Sequence, residues 1–126
     1  MEAAKVLAGV RALVVEDDFY LADDERVALE AAGAGVIGPC DSIAEALILL
    51  ETHAPDVAIL DISLADGPSF DLARLVGARG ILILFVTGYD AGLVPPDLAE
   101  KARLQKPITK VRLVKAVEEL VQAGKA

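Results

Sequence analysis

The chain has 126 residues and a formal charge of −8, from 12 Lys and Arg against 20 Asp and Glu, with a pI near 4.5. So acidic a surface repels phosphate backbones, which argues against a nucleic-acid-binding module, and the length fits one domain. Hydrophobic residues make up 55% of the sequence and the mean hydropathy is +0.51, which excludes a disordered chain.

Aromatic residues are only 4% of the total, so the apolar content is mostly Ala, Val, Leu and Ile, a mix that suits buried parallel strands under helices. Cys40 is the sole cysteine and His53 the sole histidine. No internal disulfide or cysteine-based metal cluster can form, and a hydrolytic triad would have to use His53. The first residues lack a secretory pattern and no apolar run reaches the ~18 residues of a membrane span. The expectation is a soluble, cytoplasmic protein with no membrane contact.

In chain order, Ala12-Leu13-Val14-Val15 reads as a first strand ending in Glu16-Asp17-Asp18. Residues 19–32 read as a helix stopped by Gly33, with Leu21, Ala28, Leu29 and Ala32 facing the core and Asp24 and Glu25 interrupting that stripe. Val36-Ile37-Gly38 is a short second strand. Ser42 and Glu45 form a capping-box pattern before a helix with Ile43, Ala46, Leu47 and Leu50 on one face. His53 closes that helix ahead of Pro55, where a cation suits the dipole. Cys40 reads as a small buried or edge residue.

Val57-Ala58-Ile59-Leu60 is the third strand and stops at Asp61. Gly67-Pro68 breaks the chain before a short helix bearing Phe70, Ala73 and Val76. The fourth strand, residues 81–86, is apolar throughout, as a central strand should be, and leads to Thr87-Gly88. An alternating fold wants a crossover helix over residues 89–101, but Gly92, Pro95 and Pro96 disfavour one. The expectation there is a short helix over residues 97–103 or a mobile loop. A last strand at residues 103–105 leads to Lys106-Pro107, and Thr109 caps a final helix lined by Leu113, Val114, Val117, Leu120 and Val121. Lys110, Arg112 and Lys115 read as its solvated face or part of a partner surface.

Five strands alternating with helices predict an α/β fold, a doubly wound five-stranded parallel sheet over a core of about residues 11–123. Ligands in such sheets bind beyond the carboxyl ends of the strands. Glu16, Asp17, Asp18, Asp61, Thr87 and Lys106 all fall there. Clustered carboxylates raise one another's pKa unless a cation joins them, and Mg²⁺ takes one or two carboxylates together with waters and a phosphate. Such a site accepts a phosphoryl group. Taken singly, each feature has a structural reading: an acidic run favoured by a helix dipole, a turn-forming Asp, a strand exit, a Lys-Pro stop. Their joint order argues for a site.

The motifs LVVEDD, VAILDISL with a Gly six residues after its Asp, FVTGY and LQKP resemble the receiver domains of two-component response regulators. FVTGY, a Pro-bearing loop and LQKP are most similar to the single-domain FATGUY-type receivers, with Val86 for the usual Ala and Ile108 for the usual Phe. The resemblance implies a flavodoxin-like sheet of order 2-1-3-4-5. It makes Asp61 the acceptor of a phosphoryl group from a sensor histidine kinase or histidine phosphotransfer protein. Glu16, Asp17, Asp61 and the Ser63 carbonyl would hold Mg²⁺, with Asp17 binding directly and Glu16 through water. Lys106 would pair with Asp61 and then with the phosphoryl group. Thr87 would swing its hydroxyl onto that group, near the Gly88 N–H, and Asp18 would be a helix-capping or rim acid rather than a ligand.

The aromatic switch position of the family holds Arg103 here, which leaves Tyr89 as a candidate partner of Thr87. The resemblance implies that Tyr89 and Ser63 flank the phosphoryl group and affect its hydrolysis in opposite senses, one bulky and one small. The implied function is that of a stand-alone response regulator that switches a protein-interaction surface, dimerises on phosphorylation, or serves as a phosphate sink. It catalyses only its own phosphorylation and dephosphorylation. One alternative is a degenerate receiver acting as an interaction module. Another is an Asp-nucleophile, Mg²⁺-dependent phosphatase, which Ser63 disfavours by standing where a general acid is needed.

Overall fold

Five runs dominated by Val, Leu and Ile pair side by side in the computed structural model, which describes residues 5–88 and 91–124. They are β1 (Arg11–Val15), β2 (Gly35–Cys40), β3 (Val57–Asp61), β6 (Leu82–Thr87) and β7 (Ala102–Gln105), all parallel in the order β2-β1-β3-β6-β7. This is the expected 2-1-3-4-5 sheet, and β1 and β3 are central because their side chains are apolar on both faces. The chain is therefore a flavodoxin-like α/β fold.

Two cores sandwich the sheet. Leu13, Val15, Leu60 and Phe85 face one side, where α2 (Ile43–Thr52) and α3 (Phe70–Ala78) cover them. Val14, Ile59, Leu84 and Val86 face the other, covered by α1 (Phe19–Ala31) and α4 (Lys110–Gly124) through Leu29, Leu113 and Val117. Leu7, ahead of β1, is buried in this second core as well, and its N–H donates to the Ala32 carbonyl at 2.9 Å. Gly33 ends α1 with a φ of +101°, and a side chain there would meet Lys5 Cβ at 2.8 Å.

Several local expectations change. Glu25, which was to interrupt the core stripe of α1, is instead buried within it, while Leu21 and Ala32 are half-buried. On α2, Ala46 and Leu50 are buried but Leu47 is exposed and Leu49 takes its place against the core. Ser42 Oγ accepts from Glu45 N at 3.2 Å, one half of the capping box. The first two amides of α2, those of Ile43 and Ala44, find their acceptor elsewhere, on Asp66. A short hairpin follows β3, with β4 (Ser63–Leu64) antiparallel to β5 (Gly67–Pro68).

The fourth crossover holds no α-helix among the described residues. It consists of two 3₁₀ turns, Ala91–Leu93 and Pro96–Leu98, and the chain is already extended at Ala102, so the short helix expected over residues 97–103 gives way to a turn and a strand. Pro95 and Pro96 supply no N–H for a longer helix. Leu98 nevertheless seats in the core, and Arg74 of α3 holds Asp97 by two hydrogen bonds at 2.9 and 3.0 Å.

Candidate functional site

The register of the sheet brings the acids together. Val15 pairs with Leu60, and Asp61 with Val86, so β1, β3 and β6 reach the same rim. Immediately beyond β1, the Glu16 N–H donates to the Cys40 carbonyl at 2.9 Å, and the chain turns so that Asp18 caps α1. Asp18 Oδ1 accepts from Tyr20 N at 3.0 Å and Leu21 N at 3.1 Å, which commits it to the helix end and leaves Glu16 and Asp17 for the rim.

Glu16, Asp17 and Asp61 each offer an oxygen, and these lie within 4.8 Å of one another. Glu16 and Asp61 are buried and Asp17 is exposed, so the cluster meets solvent at Asp17. Lys106 Nζ approaches from the end of β7, 3.4 Å from Glu16 Oε1 and 3.5 Å from Asp61 Oδ2. Glu16 Oε2 accepts from Asp18 N at 3.1 Å, whereas Glu16 Oε1 is buried with no hydrogen bond.

Burial, then the hydrogen bond and charge of Asp61, drives the Glu16 carboxyl well above the ordinary range, against the pull of the Asp18 N–H and Lys106. Burial raises Asp61 too, opposed by its hydrogen bond with Glu16 and by Lys106, and assisted by the charge of Asp17. For Lys106 burial works downward, but attraction to Glu16 and Asp61 wins and the ammonium is held more firmly than usual. One cation among three converging acids leaves the cluster short of positive charge. A buried Glu16 oxygen that has the Lys106 ion pair but no hydrogen bond, within an all-oxygen donor set, fits a hard divalent cation such as Mg²⁺.

Thr87 ends β6 beside this cluster and is buried, its hydroxyl donating to the Leu104 carbonyl at 3.4 Å. The Lys106 N–H in turn donates to the Thr87 carbonyl at 2.7 Å. Ser63 lies two residues past Asp61 and is exposed. Gly88, half-buried, lines a cleft of about 610 Å³ with Leu21, Lys106 and Pro107. On the other flank Glu16 and Asp17 border a cleft of about 250 Å³ with Phe19, Asp41 and Glu45. Tyr89, the second switch candidate, lies outside the described residues.

Arg103 points away from the acids. It is exposed, and its guanidinium donates to the Ala99 carbonyl, tying β7 to the fourth crossover. His53 sits at the end of α2, its Nδ1 3.0 Å from the Leu49 carbonyl, far in the fold from the rim. Burial pushes the Cys40 thiol up to about 12, so it is unreactive. Glu25 and Asp66 were not anticipated. A charge in a helix reads as solvated, and a cap between residues 23 apart has no local pattern.

No helix among the described residues is long and apolar enough to cross a membrane. No family model matches the chain. The solution structure of SdrG from Sphingomonas melonis Fr1 is 32% identical, with a TM-score of 0.77, over 96% of this chain and 99% of that one. A response regulator receiver protein from Sinorhizobium medicae WSM419 is 27% identical, with a TM-score of 0.79, over 94% and 98% of the two chains. Among curated proteins, the sensory transduction protein LytT of Bacillus anthracis is 28% identical over 114 residues, 87% of this chain and 46% of that protein. The chain thus spans about half the length of the curated relatives it matches. Sheet order, acidic rim and relatives agree: the chain belongs to the response-regulator receiver domains, the signalling domains of two-component systems.

Proposed function

We propose that residues 1–126 form a single receiver domain that works as a stand-alone response regulator, taking a phosphoryl group onto Asp61 from a phosphohistidine of a sensor histidine kinase or histidine phosphotransfer protein. The observation that carries this reading is the placement of Lys106 Nζ between Glu16 and Asp61, at 3.4 and 3.5 Å, on a rim where three acids converge. An Asp61 carboxylate oxygen attacks phosphorus, the N–P bond breaks, and the imidazole leaves with the electron pair. The acyl phosphate that forms is later hydrolysed, so the only chemistry catalysed is on the protein itself.

Glu16, Asp17, Asp61 and the Ser63 carbonyl would hold Mg²⁺. When bound, the ion neutralises charge on the transferring phosphoryl oxygens. Lys106 keeps Asp61 oriented before transfer and then pairs with a phosphoryl oxygen. Thr87 releases the Leu104 carbonyl and turns its hydroxyl to the new group, near the Gly88 N–H. That exchange shifts β7, and with it Arg103 and the fourth crossover. The output is a protein contact on the face built from the fourth crossover, β7 and α4, through a downstream partner or a second copy of the chain.

Amide NMR during addition of Mg²⁺ and then beryllofluoride, on wild type and Asp61→Asn, tests the reading without a kinase. Beryllofluoride stands in for a phosphoryl group on a carboxylate. Shifts in residues 87–106 that appear in wild type and vanish in the variant support it. A response to Mg²⁺ with none to beryllofluoride overturns it and leaves an interaction module.

A further inference from the structure

Asp66 joins the segment that follows the acceptor to a helix that has no part in the acidic rim. It stands at the tip of the β4–β5 hairpin, and its two carboxylate oxygens are split between consecutive amides. Oδ1 accepts from Ile43 N at 3.0 Å and Oδ2 from Ala44 N at 3.2 Å. With Glu45 N bonded to Ser42 Oγ at 3.2 Å, the first turn of α2 has an acceptor for three consecutive amides, two of them supplied from another loop. The donors, Ile43 first, hold the exposed Asp66 carboxyl below its usual range, so it is ionised at neutral pH.

At its root the hairpin is held by buried Ile62 and Leu64, while its tip lies beyond them. Each strand is two residues long, with Ser63 opposite Pro68 and Leu64 opposite Gly67. At its base the Ser69 N–H donates to the Ile62 carbonyl at 2.9 Å, and Leu64 is buried. Gly67, at φ +127°, makes the turn with a backbone that a side chain would resist. An isolated hairpin of this size has no stability of its own. Its tip is fixed because a carboxylate reaches the positive end of α2, where a negative charge is favoured and two N–H groups want an acceptor. Asp61 and Ser63 sit at the root of the same segment, so whatever steadies the tip also limits the freedom of the Ser63 carbonyl.

We propose that Asp66 is a positioning residue for the acceptor site: by clamping the hairpin onto the N-terminus of α2 it holds the Ser63 carbonyl in place for a divalent cation beside Asp61. This deepens the receiver reading and rests on it. Outer residues that only orient metal ligands change affinity by about tenfold when removed. Asp66→Ala therefore weakens Mg²⁺ binding about tenfold, raises the KM for Mg²⁺ in phosphorylation by acetyl phosphate, and leaves kcat at saturating Mg²⁺ near wild type.

Ser42→Ala supplies the comparison, since it uncaps the same helix without touching the hairpin. Both variants lower Tm, but only Asp66→Ala loses Mg²⁺ affinity, measured by amide titration with the metal alone. Asp66→Asn keeps one carbonyl acceptor and falls between wild type and Asp66→Ala; it carries the test if the alanine variant does not fold. Mg²⁺ affinity unchanged in Asp66→Asn and Asp66→Ala, or lowered equally in Ser42→Ala, overturns the proposal and leaves a helix cap. If wild type itself shows no Asp61-dependent response to Mg²⁺ and beryllofluoride, the receiver reading has failed instead, and the two failures are told apart by that control.

Discussion

The Thr87 hydroxyl donates to the Leu104 carbonyl at 3.4 Å, across the β6–β7 pair and away from Asp61. The bond is long, so little is lost when it breaks. On the proposed receiver reading, the hydroxyl exchanges this resting partner for a phosphoryl oxygen. Thr87→Val keeps the shape and the β-branch of the side chain and removes the hydroxyl. The variant is expected to fold and bind Mg²⁺ as wild type does, and to lose the beryllofluoride-induced shifts in residues 91–106, read by amide NMR.

Lys106 and a divalent cation answer to the same carboxylates. Replacing it by Met takes away the competing cation, so Mg²⁺ binds several-fold more tightly, while the metal-free protein loses about 1 kcal/mol because Glu16 and Asp61 lose the ammonium between them. Isothermal titration and urea unfolding check the two halves of this expectation. Weaker Mg²⁺ binding in Lys106→Met would show that the lysine organises the acids rather than competing for them.

Glu25 gives the fold a pH dependence. It is 2% exposed, and neither carboxyl oxygen has a hydrogen-bond partner. Burial raises its pKa from 4.5 to about 8; Lys106 opposes the shift, and Asp61, Asp18 and Asp24 add to it. Between those two pH values the folded chain holds a proton that the unfolded chain has released, so stability falls as pH rises. The contribution is complete below pH 4.5 and gone above about pH 8. Glu25→Gln keeps the size and removes the titration. Urea unfolding at pH 5, 6.5 and 8 is expected to show a shallower decline, with the variant ahead by roughly 2–4 kcal/mol at the highest pH. Equal slopes in the two proteins would place the effect elsewhere, with Glu16 the next group to replace.

Leu98 in the core and the Arg74–Asp97 clamp at the surface are two of the contacts that hold the fourth crossover. Leu98→Ala empties a core position and is expected to cost about 2–3 kcal/mol. Arg74→Ala cuts the pair of hydrogen bonds to Asp97 at the exposed surface, where ion pairs contribute little, and leaves Tm almost unchanged. It nonetheless speeds amide hydrogen exchange in residues 92–101, because that segment loses its tether to α3. Exchange at the wild-type rate would show that the crossover is anchored without the clamp.

Reading the chain as a string of apolar runs and breakers went far because parallel strands are buried on both faces. Val57, Ala58, Ile59 and Leu60 need no alternation to be recognised, and Asp61 stands out at their end. The acids and Lys106 follow from where those runs stop. Features made by distant partners are not written locally. Ser63–Pro68 is too short for any period, and the partners of Asp66 lie on another helix. Glu25 sits in a helix whose hydrophobic pattern is weak, and a carboxylate there gives no sign that it faces inward. On α2 the close run of Leu47, Ile48, Leu49 and Leu50 offered more apolar residues than one face can hide, and the structure turns Ile48 and Leu47 outward.

β7 is an edge strand of the sheet and pairs with β6 alone. A shift of β3 would disturb two ladders and both cores, whereas β7 is attached along one side only. On the reading proposed above, Lys106 and Arg103 thus belong to the part of the sheet that is held along one side only. Asp61 lies on a strand gripped from both sides, so on that reading charge would change where the sheet is held most firmly and movement would appear at its margin.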